Sequence, residues 1–201
     1  MRKLVSILMM LALLFSLAAC GSNTNSEESS SSAPQNSEPG SSQGEESEPA
    51  EAGAKSLVVY FSWSGNTENV AKSIQGQTDS DIFEIVPATP YSDDYDTVVD
   101  LAQAEQRENA RPEIADSIEN LADYDVIYVG YPNWWGDMPM ILYTFFDSYD
   151  LSGKTIAPFC TSGGSGLSDT VNEINELEPA AAVTDGLHIG SGSSSNPDDA
   201  V

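Results

Sequence analysis

Residues 62–67, Ser-Trp-Ser-Gly-Asn-Thr, place three hydroxyl groups in a short loop without Lys or Arg. The apolar run Leu57–Val59 precedes this loop, and apolar residues at helical spacing follow it. The pattern predicts a strand, a turn and the start of a helix. Because the first turn of a helix has unpaired N–H groups and a positive dipole end, a phosphate group can bind there. A turn that only caps the helix is the alternative.

Two adjacent tryptophans, Trp134 and Trp135, follow a second apolar run, Val126–Gly130. Tryptophan is large and apolar and normally packs in a core. A pair of them in a loop is therefore consistent with a planar apolar ligand. The alternative is that both indoles cover the end of the sheet.

A third loop, residues 160–166, contains three glycines, which let backbone N–H groups come close to a ligand. The same loop raises the alternative of a hydrolase. However, Leu167 stands where the second glycine of a Gly-x-Ser-x-Gly nucleophile turn is required. The one histidine, His188, lies on the last predicted strand, which favours a structural imidazole over a general base.

These loops resemble those of the flavodoxins. Residues 62–67 resemble the FMN phosphate loop of that family, and residues 130–136, Gly-Tyr-Pro-Asn-Trp-Trp-Gly, resemble a loop of flavodoxin-like bacterial surface lipoproteins. The resemblance covers about residues 55–200 and implies FMN, bound without a covalent link. It implies phosphate-loop contacts from Ser62, Trp63, Ser64, Gly65, Asn66 and Thr67. It implies ring contacts from Pro132, Asn133, Trp134, Trp135 and Gly136, and contacts to the polar edge of the ring from Thr161, Ser162, Gly163, Gly164, Ser165 and Gly166.

The elements between the loops alternate between strand and helix. Strands are predicted at 56–62, 81–86, 126–130, 155–160 and 187–189, and helices at 67–75, about 98–109, from 138 onward, and 168–178. This alternation predicts a parallel sheet covered on both sides. The resemblance implies a flavodoxin-like doubly wound α/β fold, with five strands in the order 2-1-3-4-5. Pro158 removes a ladder donor, so a bulge or a missing hydrogen bond is expected beside it.

The last residues carry helix-opening signals, a run of Ser and Asn before Pro197 and two aspartates. Flavodoxin-like domains usually close with a helix after the last strand, whereas this sequence stops at Val201. We therefore expect that the C-terminal helix is truncated in this chain. A partner or a second copy that covers the sheet is the alternative.

The amino-terminal residues predict export. Residues 1–19 have the charges and the uncharged apolar stretch of a signal peptide, and Leu-Ala-Ala-Cys at 17–20 resembles the lipobox of bacterial lipoproteins. The resemblance implies a lipid on Cys20, and hence a protein anchored outside the cytoplasmic membrane. Residues 20–53, rich in Ser and Glu, predict a disordered tether, and residues 54–201 one domain.

The formal net charge of -25 argues against nucleic acid as a partner and favours a redox protein with a basic docking surface. With one His and scattered acids, the sequence predicts no metal site. With Cys20 lipidated, Cys160 has no disulfide partner and is expected to be a buried, inert thiol.

Three functions stay open at the level of sequence. An FMN-dependent electron-transfer protein is favoured, and no side chain is assigned as an acid or a base. The alternatives are an FMN-dependent NAD(P)H:quinone-type reductase and a flavodoxin-shaped module that binds partners without flavin.

Overall fold

The computed structural model describes residues 53–201, and the predicted signal peptide, tether and lipidated Cys20 lie outside that part. Its strands are β1 (Ser56–Tyr60), β2 (Asp81–Glu84), β3 (Val126–Pro132), β4 (Thr155–Ser162), β5 (Ala182–Val183) and β6 (Leu187–Gly190). Its helices are α1 (Asn66–Thr78), α2 (Tyr95–Glu108), α3 (Met140–Ser148) and α4 (Thr170–Leu177), with a 3-10 turn at Leu121–Asp123. None of the described helices has the length and apolar character needed to cross a membrane.

All strand pairs are parallel, and the sheet order β2-β1-β3-β4-β5 confirms the predicted topology. β3 and β4 run two residues beyond their predicted ends. The reason is that the two strands stay paired as far as Pro132 and Thr161, so these loop residues of the prediction belong to strands.

The fifth position of the sheet is filled by two short strands. β5 pairs with Thr155 and Ile156, and β6 pairs with β4 from Phe159 onward. Between the two ladders the outer strand has one more residue than β4, and Pro158 lies beside this interruption. The expected irregularity at the proline is therefore present. The sequence does not signal β5, because two residues carry no periodicity.

Both faces of the sheet are buried, as the near-continuous apolar runs of β1 and β3 predict. Leu57 and Val59 point into a larger apolar cluster covered by α3, while Val58 and Tyr60 point into a smaller one covered by α1. This alternation is the two-residue period of a strand.

After β6 the chain forms turns. The helix-opening signals give a single turn, in which the N–H groups of Ala200 and Val201 donate to the carbonyl of Pro197. The hydroxyl of Ser73 on α1 donates to Asp198 at 2.7 Å, and Val201 packs against the smaller cluster.

Gly130 on β3 lies opposite Phe159 on β4, and a Cβ atom at Gly130 would lie 2.1 Å from the Phe159 ring. We expect Gly130→Ala to lower the free energy of unfolding by about 1–3 kcal/mol, the usual cost of overpacking. The matched control is Gly76→Ala, on an exposed part of α1 with no atom near the added methyl group. It should raise stability by about 0.5–1 kcal/mol. Urea unfolding measures both, and equal effects of the two changes would contradict the packing described here.

Candidate functional site

The loops after β1, β3 and β4 lie at one edge of the sheet, where the carboxyl ends of parallel strands meet. Main-chain hydrogen bonds continue past the strands and tie the loops together. Phe61 N–H donates to Gly130 at 3.0 Å, Asn133 N–H to Thr161 at 2.9 Å, and Ser191 N–H to Ser162 at 2.9 Å. In doubly wound sheets this edge is where ligands bind.

The first loop leads directly into α1. Gly65 immediately precedes the helix with φ 82°, a conformation that favours glycine, and no side chain caps the helix. The hydroxyls of Ser62 and Ser64 accept hydrogen bonds from Gly65 N–H and from the Asn66 side chain, both at 3.1 Å. Each hydroxyl keeps its own hydrogen for donation. The uncapped N–H groups and these two hydroxyls form a set of donors suited to an anion.

Thr67 has a different position from the rest of its loop. Its side chain is buried, and its hydroxyl lies 2.8 Å from that of Thr161 on β4. The pair therefore joins the start of α1 to the end of β4 inside the protein.

Beside the first loop is a cavity of about 370 Å³, within the size range of small-molecule sites. All the residues that line it are uncharged: Trp63, Tyr95, Val98, Val99, Ala102, Asn133, Trp134, Trp135, Gly136 and Ser165. Trp63, which lines the cavity, lies in the chain between Ser62 and Ser64, so the cavity and the anion-binding donors share the first loop. The composition suits a flat apolar molecule that carries an anionic group at one end.

Helix α2 forms one wall of the cavity through Tyr95, Val98, Val99 and Ala102, and sequence analysis does not identify this wall. No signal in the sequence separates this wall from an ordinary helix face. Val98 is buried, whereas the adjacent Val99 is partly exposed and lines the cavity. Only the structure shows that Val99 faces a cavity and not a core partner.

Hydrogen bonds fasten α2 and the segment before it to the loops. The Trp63 indole donates to the carbonyl of Ser92 at 2.9 Å, and the Trp135 indole donates to that of Val99 at 3.1 Å. The Gln106 side chain donates to the carbonyl of Trp134 at 3.0 Å. The wall and the segment before it are therefore held against the first and second loops at several points.

The two adjacent tryptophans play different parts. Trp134 packs edge-on against Phe61 and Tyr91, with ring centroids 5.5 and 5.4 Å apart, so it covers the sheet end as well as lining the cavity. Trp135 has φ 56° and leaves 54% of its surface exposed. Tyr95, which also lines the cavity, leaves 66% of its surface exposed. Two exposed aromatic rings at one opening suit a planar partner.

Asn133 links the second and third loops. Its side-chain N–H group donates to the Gly166 carbonyl and its oxygen accepts from Gly136 N–H, both at 3.0 Å. Within the third loop, Ser162 accepts from the N–H groups of Gly164 and Gly166 at 3.3 and 3.0 Å.

The predicted site residues therefore fall into three groups. Trp63, Asn133, Trp134, Trp135, Gly136 and Ser165 line the cavity. Ser62, Ser64, Gly65 and Asn66 surround the start of α1. The others do not line the cavity: Pro132, Thr161 and Ser162 end β3 and β4, Thr67 is buried, and Gly163, Gly164 and Gly166 form the third loop.

Two carboxylates on the elements that surround the cavity have other partners. Both oxygens of Asp137 accept from the Tyr143 hydroxyl at 3.0 Å, and Asp137 does not line the cavity. Behind Trp134, Glu105 accepts from the Tyr91 hydroxyl at 2.9 Å, and burial raises the pKa of the Glu105 carboxyl. No cluster of His, Cys, Asp and Glu among residues 53–201 is arranged to hold a metal ion.

The fold and its comparisons define the class of protein. The sequence profile of the flavodoxin family matches residues 55–198. The chain belongs to the flavodoxin family. Among curated proteins, none matches this chain.

Solved structures with this fold include bacterial flavoproteins. A protein from Bacteroides uniformis described as a flavoprotein is 34% identical to this chain. The match covers 73% of this chain and 97% of the Bacteroides chain, with a TM-score of 0.66. One from Bacteroides eggerthii is 31% identical, with coverage of 73% and 98% and a TM-score of 0.64. A flavoprotein in complex with FMN from Lactobacillus acidophilus is 28% identical, with coverage of 73% and 99% and a TM-score of 0.60. The fold is thus that of flavodoxin-like flavoproteins.

Cys160 is buried under the third loop, and burial raises the pKa of its thiol to about 12. At about pH 8, roughly one thiol in ten thousand would then be ionised, and the thiolate is the reactive form. In a Cys20→Ser variant we expect iodoacetamide to modify Cys160 at least about a hundredfold more slowly in the native protein than in guanidinium chloride. Equal rates in the two conditions would place the thiol at the surface.

Proposed function

We propose that this protein binds one FMN and transfers electrons. The observation that carries the proposal is an uncharged aromatic cavity whose lining residue Trp63 lies in the loop that leads to an uncapped helix start. FMN correspondingly has an apolar ring system at one end and a phosphate at the other. When bound, FMN supplies the redox chemistry.

The donors at α1 suit the phosphate of FMN. Ser62, Ser64 and the first N–H groups of the helix supply hydrogen bonds, and the helix dipole adds a favourable partial charge. Trp63, Tyr95 and Trp135 suit the ring, which they would shield from water. Similarity to the flavoprotein with FMN from Lactobacillus acidophilus supports the same assignment.

Electron transfer is favoured over turnover of a small substrate because no carboxylate, imidazole, ammonium or thiol group lines the cavity. All of its lining side chains are uncharged. The exposed rings of Tyr95 and Trp135 form its rim, where the edge of a bound flavin would come within reach of a partner protein. Steady NAD(P)H-dependent reduction of a quinone by the isolated protein would instead indicate a reductase.

The proposed partner is a redox protein with a basic docking surface. Residues 54–201 carry five Lys and Arg against 25 Asp and Glu. Three of the five cations already face carboxylates: Lys55 faces Asp81, Lys72 faces Glu68, and Arg111 faces Asp147. The protein surface is therefore strongly acidic, which speeds association with a cationic partner at low salt.

The proposed location is outside the cytoplasmic membrane, with a lipid on Cys20. This part of the proposal rests on the sequence of residues 1–20. Radiolabelled fatty acid incorporated by the full chain and lost in a Cys20→Ser variant would support the anchor, and incorporation by both would contradict it.

The phosphate assignment predicts a difference between FMN and riboflavin, which lacks the phosphate. Two hydrogen bonds to a charged group contribute about 1.5–3 kcal/mol each. The Ser62→Ala/Ser64→Ala variant should therefore bind FMN at least about a hundredfold more weakly, with little change for riboflavin. Ser152→Ala, near the opposite end of β4, is the control. An equal loss for both flavins, measured by quenching of flavin fluorescence, would place the phosphate elsewhere.

The assignment of Trp135 to the flavin ring predicts that its replacement affects FMN and riboflavin alike, in contrast to the serine variant. Because Trp135→Ala removes a half-exposed ring and its hydrogen bond to the Val99 carbonyl, it should lower the free energy of unfolding by about 0.5–1.5 kcal/mol, the usual value of one hydrogen bond. Loss of one stacking contact, worth about 1–3 kcal/mol, should weaken FMN and riboflavin equally, by about five- to a hundredfold.

Leu101→Ala is the matched control for Trp135, because Leu101 is an exposed apolar residue on α2 that does not line the cavity. It should leave both affinities unchanged. If it weakens binding as much as Trp135→Ala does, the cavity is not the ring site.

A further inference from the structure

Ser162 and His188 form a hydrogen bond behind the third loop. The Ser162 hydroxyl oxygen lies 2.8 Å from Nε2 of His188, which is the register partner of Cys160 across the β4–β6 ladder. Ser162 is buried, whereas His188 is exposed to solvent. The loop that Ser162 organises supplies Ser165 to the cavity.

Counting hydrogens fixes the direction of this bond. A serine hydroxyl has one hydrogen to donate and two lone pairs to accept with. Both lone pairs of Ser162 are occupied, by Gly164 N–H at 3.3 Å and Gly166 N–H at 3.0 Å. The remaining hydrogen of Ser162 then points to His188, an arrangement that requires the tautomer of His188 with its hydrogen on Nδ1 and with Nε2 free to accept.

We propose that His188 is a positioning residue for the flavin site. By accepting the hydrogen of Ser162, the neutral imidazole leaves both lone pairs of Ser162 to hold Gly164 and Gly166, and so fixes the third loop. This inference rests on the proposed binding of FMN.

Protonation of His188 would break this arrangement. An imidazolium donates from both nitrogens and accepts from none. Its Nε2–H group would need a lone pair of Ser162, which the two glycine N–H groups already occupy. At least one of the three hydrogen bonds must then be lost, and the loop loosens.

The titratable groups around His188 are few. On β4, which packs against β6, the one such group is Cys160, whose thiol stays neutral because burial raises its pKa to about 12. Asp185 lies in the segment before β6, and α4 with its two caps carries Asp169, Glu173, Glu176 and Glu178. None of these carboxylates forms an ion pair with His188 in the described chain.

The test combines two variants with a pH profile of FMN affinity. His188→Gln keeps an acceptor near the position of Nε2 but does not titrate, whereas His188→Leu removes the acceptor. Between about pH 8 and about pH 5.5, wild-type affinity should fall about three- to tenfold more than that of His188→Gln, the size of one neutral hydrogen bond. At about pH 8, His188→Leu should bind FMN more weakly than wild type by the same factor.

Comparison with His188→Gln removes other sources of pH dependence. The FMN phosphate itself titrates near pH 6 and does so equally in each variant. Thermal melts show that each variant is folded. Identical pH profiles for wild type and His188→Gln would overturn the inference.

Nitrogen-15 NMR of the single imidazole gives an independent readout. At about pH 8 the spectrum should show the hydrogen on Nδ1, and a hydrogen on Nε2 would overturn the inference. If the wild type and both variants all fail to bind FMN at about pH 8, the proposed function fails and this inference falls with it. If FMN binds but the profiles coincide, only the role of His188 is wrong.

Discussion

The parallel register of β1, β3 and β4 is the constraint on which the site depends. Because the same ladder continues beyond the strands, through Phe61, Asn133 and Ser191, each loop begins at a fixed height relative to its neighbour. Contacts between side chains therefore contribute little to the placement of the loops. The Thr67–Thr161 pair and the bridge made by Asn133 join loops that the backbone has already brought together.

The second constraint comes from the segment between β2 and β3. It brings α2 across the open edge of the sheet and supplies the apolar wall that turns a set of loops into a cavity. Bonds from the indoles of Trp63 and Trp135 hold this wall in place. The result is a site without charged lining, in a protein whose surface is strongly acidic. This member of the flavodoxin family thus combines an uncharged, aromatic cavity with a negative exterior.

The sequence predicts the alternation of strands and helices, and it predicts the three loops of the site because each follows a strand. Strand order follows from alternation together with the family resemblance, and three loops mark the carboxyl edge. The α2 wall is missed because the sequence of a helix does not show whether an apolar residue such as Val99 faces a core or a cavity. The length of β3 and β4 is also missed, since pairing between strands sets it. The burial of Thr67 is decided by its contact with Thr161, 94 positions away in sequence.

The central claim is that FMN occupies the cavity between α2 and the three loops. Nitrogen-15 correlation spectra recorded during addition of FMN test it most directly. The account predicts saturable shifts, complete at one FMN per chain, for amides at 64–67, for Trp135 and Gly136, and for Ser165. The amides of Ile74 and Leu187, which line a separate cavity, should not respond. Shifts confined to those amides, or no shifts at an excess of FMN, would contradict the account.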